Sequence, residues 1–169
     1  GTPQNRSVTY TGLKSNALYT GQVVVADQAG RASTNKVSFD TFSETSTLVI
    51  EAEDYNHSAG QYQANPPAGA YLEAFGIPDV DYSDTTQTPG AAADHIYRSS
   101  DNVSTRNSLD TQRQKFIAAN MQEVHVALIQ PNEWLNYTRT FPNDRFNVFL
   151  RSSGTAAARV RLDRVTSDR

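Results

Sequence analysis

The stretch Leu48-Val49-Ile50-Glu51-Ala52-Glu53-Asp54-Tyr55 decides how the chain is read. It alternates as a β-strand does, with Val49, Glu51, Glu53 and Tyr55 on one side and Leu48, Ile50, Ala52 and Asp54 on the other. Two carboxylates therefore leave the same face side by side. Like charges so placed repel and need compensation. A hard cation such as calcium, bound through oxygen ligands, supplies it. The plainer alternative is a solvated strand end that carries two ordinary acidic residues.

Upstream, residues 1–43 read as β throughout. Ser7 to Thr11 is expected as a short strand and Leu18 to Asp27 as a second, with Tyr19, Val23 and Val25 on one face. Gln28-Ala29-Gly30-Arg31 has turn composition. Ala32 to Phe42 is a third strand, with Val37, Phe39 and Thr41 sharing a face. Leu13 and Tyr19 are spaced as in the tyrosine corner of Ig-like sandwiches, where a phenol closes back on the upstream backbone. Ser43 to Thr47 is polar and reads as a linker over residues 44–47.

Downstream of Tyr55, residues 58–107 are rich in Gly, Pro, Asn, Asp, Ser and aromatics and poor in strand pattern. Long structured loops of this kind are often functional. Ser108 to Asn120 has the composition of a helix. Val124 to Ile129, Trp134 to Phe141, Phe146 to Ser152 and Ala157 to Val165 are expected strands.

Glu51-Ala52-Glu53-Asp54-Tyr55 resembles the opening strand of carbohydrate-binding modules of family 6 and of the related family 35. Val80-Asp81-Tyr82-Ser83-Asp84-Thr85, His95-Ile96-Tyr97-Arg98 and Asp101-Asn102-Val103 follow in the family's order. So do Glu133-Trp134-Leu135-Asn136-Tyr137-Thr138-Arg139-Thr140-Phe141-Pro142, Phe146 to Arg151 and Ala158 to Asp163. The resemblance covers residues 48–169 and implies a jelly-roll-type β-sandwich whose remaining strands lie beyond Arg169. It implies a structural calcium at Glu51 and Glu53. Residues 1–43 resemble the last three strands of a fibronectin type III domain through Gly12-Leu13, Tyr19 and Asp27-Gln28-Ala29-Gly30. The expected fold is thus all-β, an incomplete jelly roll preceded by a partial Ig-like sandwich.

Composition narrows the function. Of 169 residues, 37% are hydrophobic and 20% charged, and the formal net charge is −3. Such a chain lacks the clustered basic surface that nucleic acid requires, and no apolar run approaches membrane-spanning length. Cysteine is absent, which excludes disulfides, thiolate metal sites and a cysteine nucleophile. His57, His95 and His125 lack metal-ligand spacing.

Sugar binding needs flat apolar faces for the pyranose ring and amides or carboxylates for its hydroxyls. Tyr62, Tyr82, Tyr97 and Asn102 are the candidates, because the resemblance puts the cleft between loops at one end of the sandwich. Trp134, the only tryptophan, shares a strand face with Asn136 and is a candidate for a second surface on the sheet. Each aromatic has packing as its alternative role. Asp81 and Asp84 could form a carboxylate pair for glycoside hydrolysis, although acids in such turns usually cap backbone.

The expected function is a non-catalytic module that binds polysaccharide or oligosaccharide. A fibronectin type III spacer and neighbouring domains would complete an extracellular or cell-surface protein. The alternatives are a structural or adhesion sandwich without sugar binding and a glycoside hydrolase fragment.

Overall fold

The computed structural model describes residues 7–42, 47–84, 93–108, 122–154 and 157–165. They form two compact units, Gly1–Arg139 and Thr140–Arg169. Every regular element among them is a strand in an antiparallel pair, so the fold is all-β. No helix among them is long and apolar enough to cross a membrane.

In the first unit, β1 (Leu18–Ala26) and β2 (Ala32–Asp40) form a hairpin in full register from Leu18 opposite Asp40 to Ala26 opposite Ala32. The turn is built by Asp27. Its carbonyl accepts the Gly30 N–H, and its carboxylate accepts the N–H groups of Ala29 and Arg31, each at 2.9 Å. Gly30 has φ +79°, a conformation that glycine adopts without steric cost. Tyr19 stacks on Phe39 across the pair. Its phenol oxygen accepts the Lys14 N–H at 2.7 Å, one residue beyond the Leu13 backbone that the tyrosine-corner spacing indicates. Ser7 to Thr11, expected as a strand, has no ladder partner among the described residues and is irregular.

The remaining sheets of this unit are short. β3 (Tyr82–Ser83) pairs with β6 (Trp134–Leu135), and β4 (Thr105–Asn107) pairs with β5 (Val124–Val126). The expected strands from Val124 and from Trp134 are therefore present only over their first residues. The opening stretch is not a paired strand either, because Glu51 and Asp54 close a turn through Asp54 N–H to Glu51 O at 3.1 Å. Tyr55, Tyr82 and Val103 form the core, with Val126, Leu135 and Tyr137 packed on it. Leu135 and Tyr137 thus take the inward role that the alternation gives them.

The segment of helical composition, where the resemblance instead implies short strands and loops, lies outside the described residues apart from Ser108, as do residues 44–46 of the linker. In the second unit, Phe146 to Ser152 and Ala157 to Val165 do not form ladders. Val148, Leu150, Val160 and Leu162 are exposed there. Alternation identifies a strand's faces, but a strand exists only where another edge takes up its N–H and C=O groups.

Candidate functional site

The loops of the first unit are organised around one buried guanidinium. Arg98 is 0% exposed. It donates to the carbonyls of Tyr55 at 2.6 Å, Asn56 at 3.1 Å and Ala74 at 3.2 Å. Its Nε pairs with Asp101 at 2.8 Å, and its Cζ lies over the Tyr55 ring, 3.6 Å from the centroid. Asp101 in turn accepts the Tyr55 hydroxyl at 2.6 Å and the Gly76 N–H at 2.8 Å. Gly76 must be glycine, since a Cβ there would fall 2.8 Å from the Tyr82 ring and 3.0 Å from Arg98 Nη2. Segments 55–56, 74–76 and 98–101 are thereby pinned together.

This arrangement corrects two of the expected sugar contacts. Tyr82 is 2% exposed and Tyr97 is 6% exposed, so neither ring offers a face to a ligand. The Tyr82 oxygen accepts the Asn102 N–H at 3.2 Å, and burial raises its pKa. Tyr97 donates to Asp54 Oδ1 at 2.8 Å and accepts the Tyr71 N–H at 3.2 Å. Burial first, and then the Asp54 charge, raises its pKa. The physical reason is that a loop-rich unit with few aliphatics fills its interior with tyrosines, each of which finds a partner for its hydroxyl. Asn102 is half-buried, and its side-chain amide donates to the Asp84 carbonyl at 3.2 Å. That donor serves the fold.

Tyr62 remains accessible, with 43% of its surface exposed. It follows the short bridge between His57 and Gln61. Phe75, 54% exposed, lies across from the same turn, its carbonyl accepting the Ser58 N–H at 2.9 Å. Trp134 is half-buried and sits opposite Ser83 in the β3–β6 pair.

Glu51 and Glu53 line one small pocket together with Asp54, Ala68, Gly69, Tyr97, Gln122, Glu123 and Val124. Glu53 is buried, and its pKa is pushed up to about 9. Desolvation is the main cause, and the charges of Glu51, Asp54 and Glu123 add to it. Among the described residues, no group of three or more histidine, aspartate or glutamate side chains is arranged to hold an ion. Glu51 and Glu53, with Asp54 and Glu123 on the same pocket, are the oxygen donors that could share a hard cation there. Glu123 escaped the sequence reading. It is distant in the chain, and only the pairing of the following Val124–Val126 strand shows where that segment belongs.

Asp81 is fully buried, and its carboxylate accepts three backbone N–H groups, from Ala59 at 3.0 Å, Gly60 at 2.6 Å and Ile77 at 2.8 Å. It is the capping acid that turn chemistry predicts. His57 contacts the Tyr71 ring edge-on at 5.0 Å. His95 is buried against the Val103 carbonyl. His125 is an exposed residue of β5. No family model matches the chain, and no curated protein or solved structure does either, so function must be argued from this geometry.

Proposed function

We propose that residues 48–169 act as a non-catalytic carbohydrate-binding module of the family 6 or 35 type. Residues 1–43 would serve as a fibronectin type III-like spacer in an extracellular or cell-surface protein that handles polysaccharide. The observation that carries this reading is the exposed Tyr62 side chain, which follows a turn whose Ala59 and Gly60 N–H groups are held by the buried Asp81 carboxylate. A rigid platform spares a ligand the entropy of ordering loops. The commitment of the Asp81 carboxylate to three amides supports a binding role over hydrolysis. A weak sugar site suffices for tethering, since it raises the effective concentration of an attached domain at its substrate.

In this reading, Glu51 and Glu53 would hold a structural calcium. The ion would sit in the pocket that Glu51, Glu53, Asp54 and Glu123 line. The loop between Glu51 and Asp54 and the segment at Glu123 would be drawn together by it. Trp134, half-buried in β6, would offer a second surface on the sheet.

Affinity electrophoresis of the chain in gels containing xylan, laminarin or a soluble cellulose derivative tests the proposal. Retardation in one gel is expected. Tyr62→Ala should weaken it about tenfold, or ~1.4 kcal/mol, as the stacked face is lost, while Tyr62→Phe should stay near wild type. The burial of Tyr82 and Tyr97 favours a second reading, a structural or adhesion repeat. Unretarded migration of the wild-type chain in every gel would establish that reading over sugar binding.

A further inference from the structure

The pocket that Glu51, Glu53, Asp54 and Glu123 line has Gly69 and Tyr97 as further parts of its wall. Gly69 belongs to the loop from Gln61 to Tyr71, which carries the exposed Tyr62. Beyond Gln61 no residue of this loop joins a ladder. Its own backbone bonding is sparse, with Ala70 N–H donating to Pro67 O at 3.1 Å and Leu72 N–H to Gly69 O at 3.0 Å. Pro66 and Pro67 have no N–H to give. Segments of this kind sit at the low end of local stability.

Two buried tyrosines tie the loop down. The Tyr71 hydroxyl oxygen accepts the Gln63 N–H at 2.6 Å, so the far end of the loop holds the residue next to Tyr62. The Tyr71 N–H donates to the Tyr97 hydroxyl oxygen at 3.2 Å, and that hydroxyl donates to Asp54 Oδ1 at 2.8 Å. An unbroken series of contacts therefore runs from Gln63 through two side chains to a carboxylate on the pocket wall. Asp54 is placed by the turn in which its N–H donates to Glu51 O at 3.1 Å. An ion held by the oxygens of Glu51 and Glu53 would clamp this turn, and Asp54 with it.

We infer that the 61–71 loop is a cation-gated element: a divalent ion in the acidic pocket fixes Asp54, and the Tyr97 and Tyr71 hydroxyls pass that order on to Gln63 and Tyr62. The inference rests on the calcium part of the reading above and adds the regulation of the loop that presents Tyr62. Tyr97 and Tyr71 are positioning residues that act through hydrogen bonds. A loop already ordered by the ion spares a ligand at Tyr62 that entropy.

The test reads amide deuterium exchange and melting temperature of the 169-residue chain in calcium chloride and in chelator. With calcium, the Gln63 and Tyr71 amides should exchange about tenfold more slowly than in chelator, while the hydrogen-bonded Gly30 amide of the hairpin turn should not change. A higher melting temperature without slower exchange at Gln63 and Tyr71 would overturn the gating and leave the calcium site standing. Equal slowing at Gly30 would also overturn it, since the ion would then act on the whole unit. Tyr97→Phe should keep the rise in melting temperature and lose the calcium effect at both amides. Tyr71→Phe leaves the Tyr97–Asp54 bond in place and should lose the effect at Gln63 alone. It carries the test if Tyr97→Phe does not fold. Wild-type calcium protection of Gln63 in either folded variant would overturn the relay. A wild type that shows neither a higher melting temperature nor slower exchange in calcium would overturn the calcium reading and this inference with it. No sugar is present, so the outcome is independent of retention in glycan gels.

Discussion

Replacing Asp101 with asparagine probes the centre of the loop scaffold. The substitution keeps the shape and removes the charge. Arg98, fully buried, then loses the counter-ion that lies 2.8 Å from its Nε, while its other bonds run to neutral carbonyls. Leaving one member of a buried pair uncompensated costs about 3–5 kcal/mol. Tyr55→Phe is the internal comparison. It removes only the hydroxyl that donates to Asp101 at 2.6 Å, a bond to a charged acceptor worth about 1.5–3 kcal/mol. A typical domain has only about 5–15 kcal/mol in total, so Asp101→Asn should consume a large part of it. The assay is urea unfolding followed by circular dichroism, with the midpoint falling at constant slope. The double variant Arg98→Met, Asp101→Leu should be less destabilised than Asp101→Asn, because no buried charge remains. Salt should leave the difference almost unchanged, since buried pairs are weakly screened. An Asp101→Asn chain within about 1 kcal/mol of wild type, or a double variant no better than the single, would refute the reasoning.

Three further outcomes are expected. Calcium at a hundredfold excess over its Kd should stabilise the chain by about 2.7 kcal/mol, seen as a higher melting temperature than in chelator. Glu51→Ala should abolish that difference, and identical wild-type melting curves with calcium and with chelator would remove the cation. Tyr19→Phe should destabilise the hairpin unit by roughly 1 kcal/mol through loss of the bond from Lys14 N–H, and a neutral result would remove the tyrosine corner. His57 should titrate below the ordinary histidine value of about 6.5 in NMR, because burial first and Arg98 second disfavour its cation. The unfolded chain then takes up the proton first, so stability should fall as pH drops below about 6.5, and His57→Gln should flatten that slope.

What could be read locally was read well. The hairpin bounded by Leu18 and Asp40 follows from alternation on both sides of an Asp-to-Gly turn, and both signals lie within a few residues of what they control. Glu51 and Glu53 do line one pocket, but through a turn and not through the strand alternation that put them on one face. Tyr82 and Tyr97 misled because their neighbours, Asp81, Ser83, Asp84 and Arg98, look like solvent-facing loop residues. Their partners are remote. Tyr97 is 43 positions from Asp54, and Tyr55 is 46 from Asp101. Nothing in a local pattern shows that a polar residue is spent on a buried phenol far along the chain. The strands beyond Val126 and Leu135 failed for a related reason, since alternation carries no information about whether an edge exists to receive them.

The interior of the first unit differs in kind from an aliphatic core. Tyr55, Tyr71, Tyr82, Tyr97 and Val103 are its buried hydrophobics among the described residues. Beside them are buried Arg98, Asp81, Asp101, Asp54, Asn56 and Thr105. A core of this composition gains less from burial than one of leucine and isoleucine, because desolvated polar atoms return most of the gain. What it provides is direction: each hydrogen bond requires a particular partner at a particular angle. Carbonyls of Tyr55, Asn56 and Ala74 can meet one guanidinium only if three loop segments arrive together. Loops without a ladder to hold them need that directionality more than they need bulk apolar burial. The buried charges of this interior therefore serve the fold: groups that look available for chemistry hold the loop segments in place.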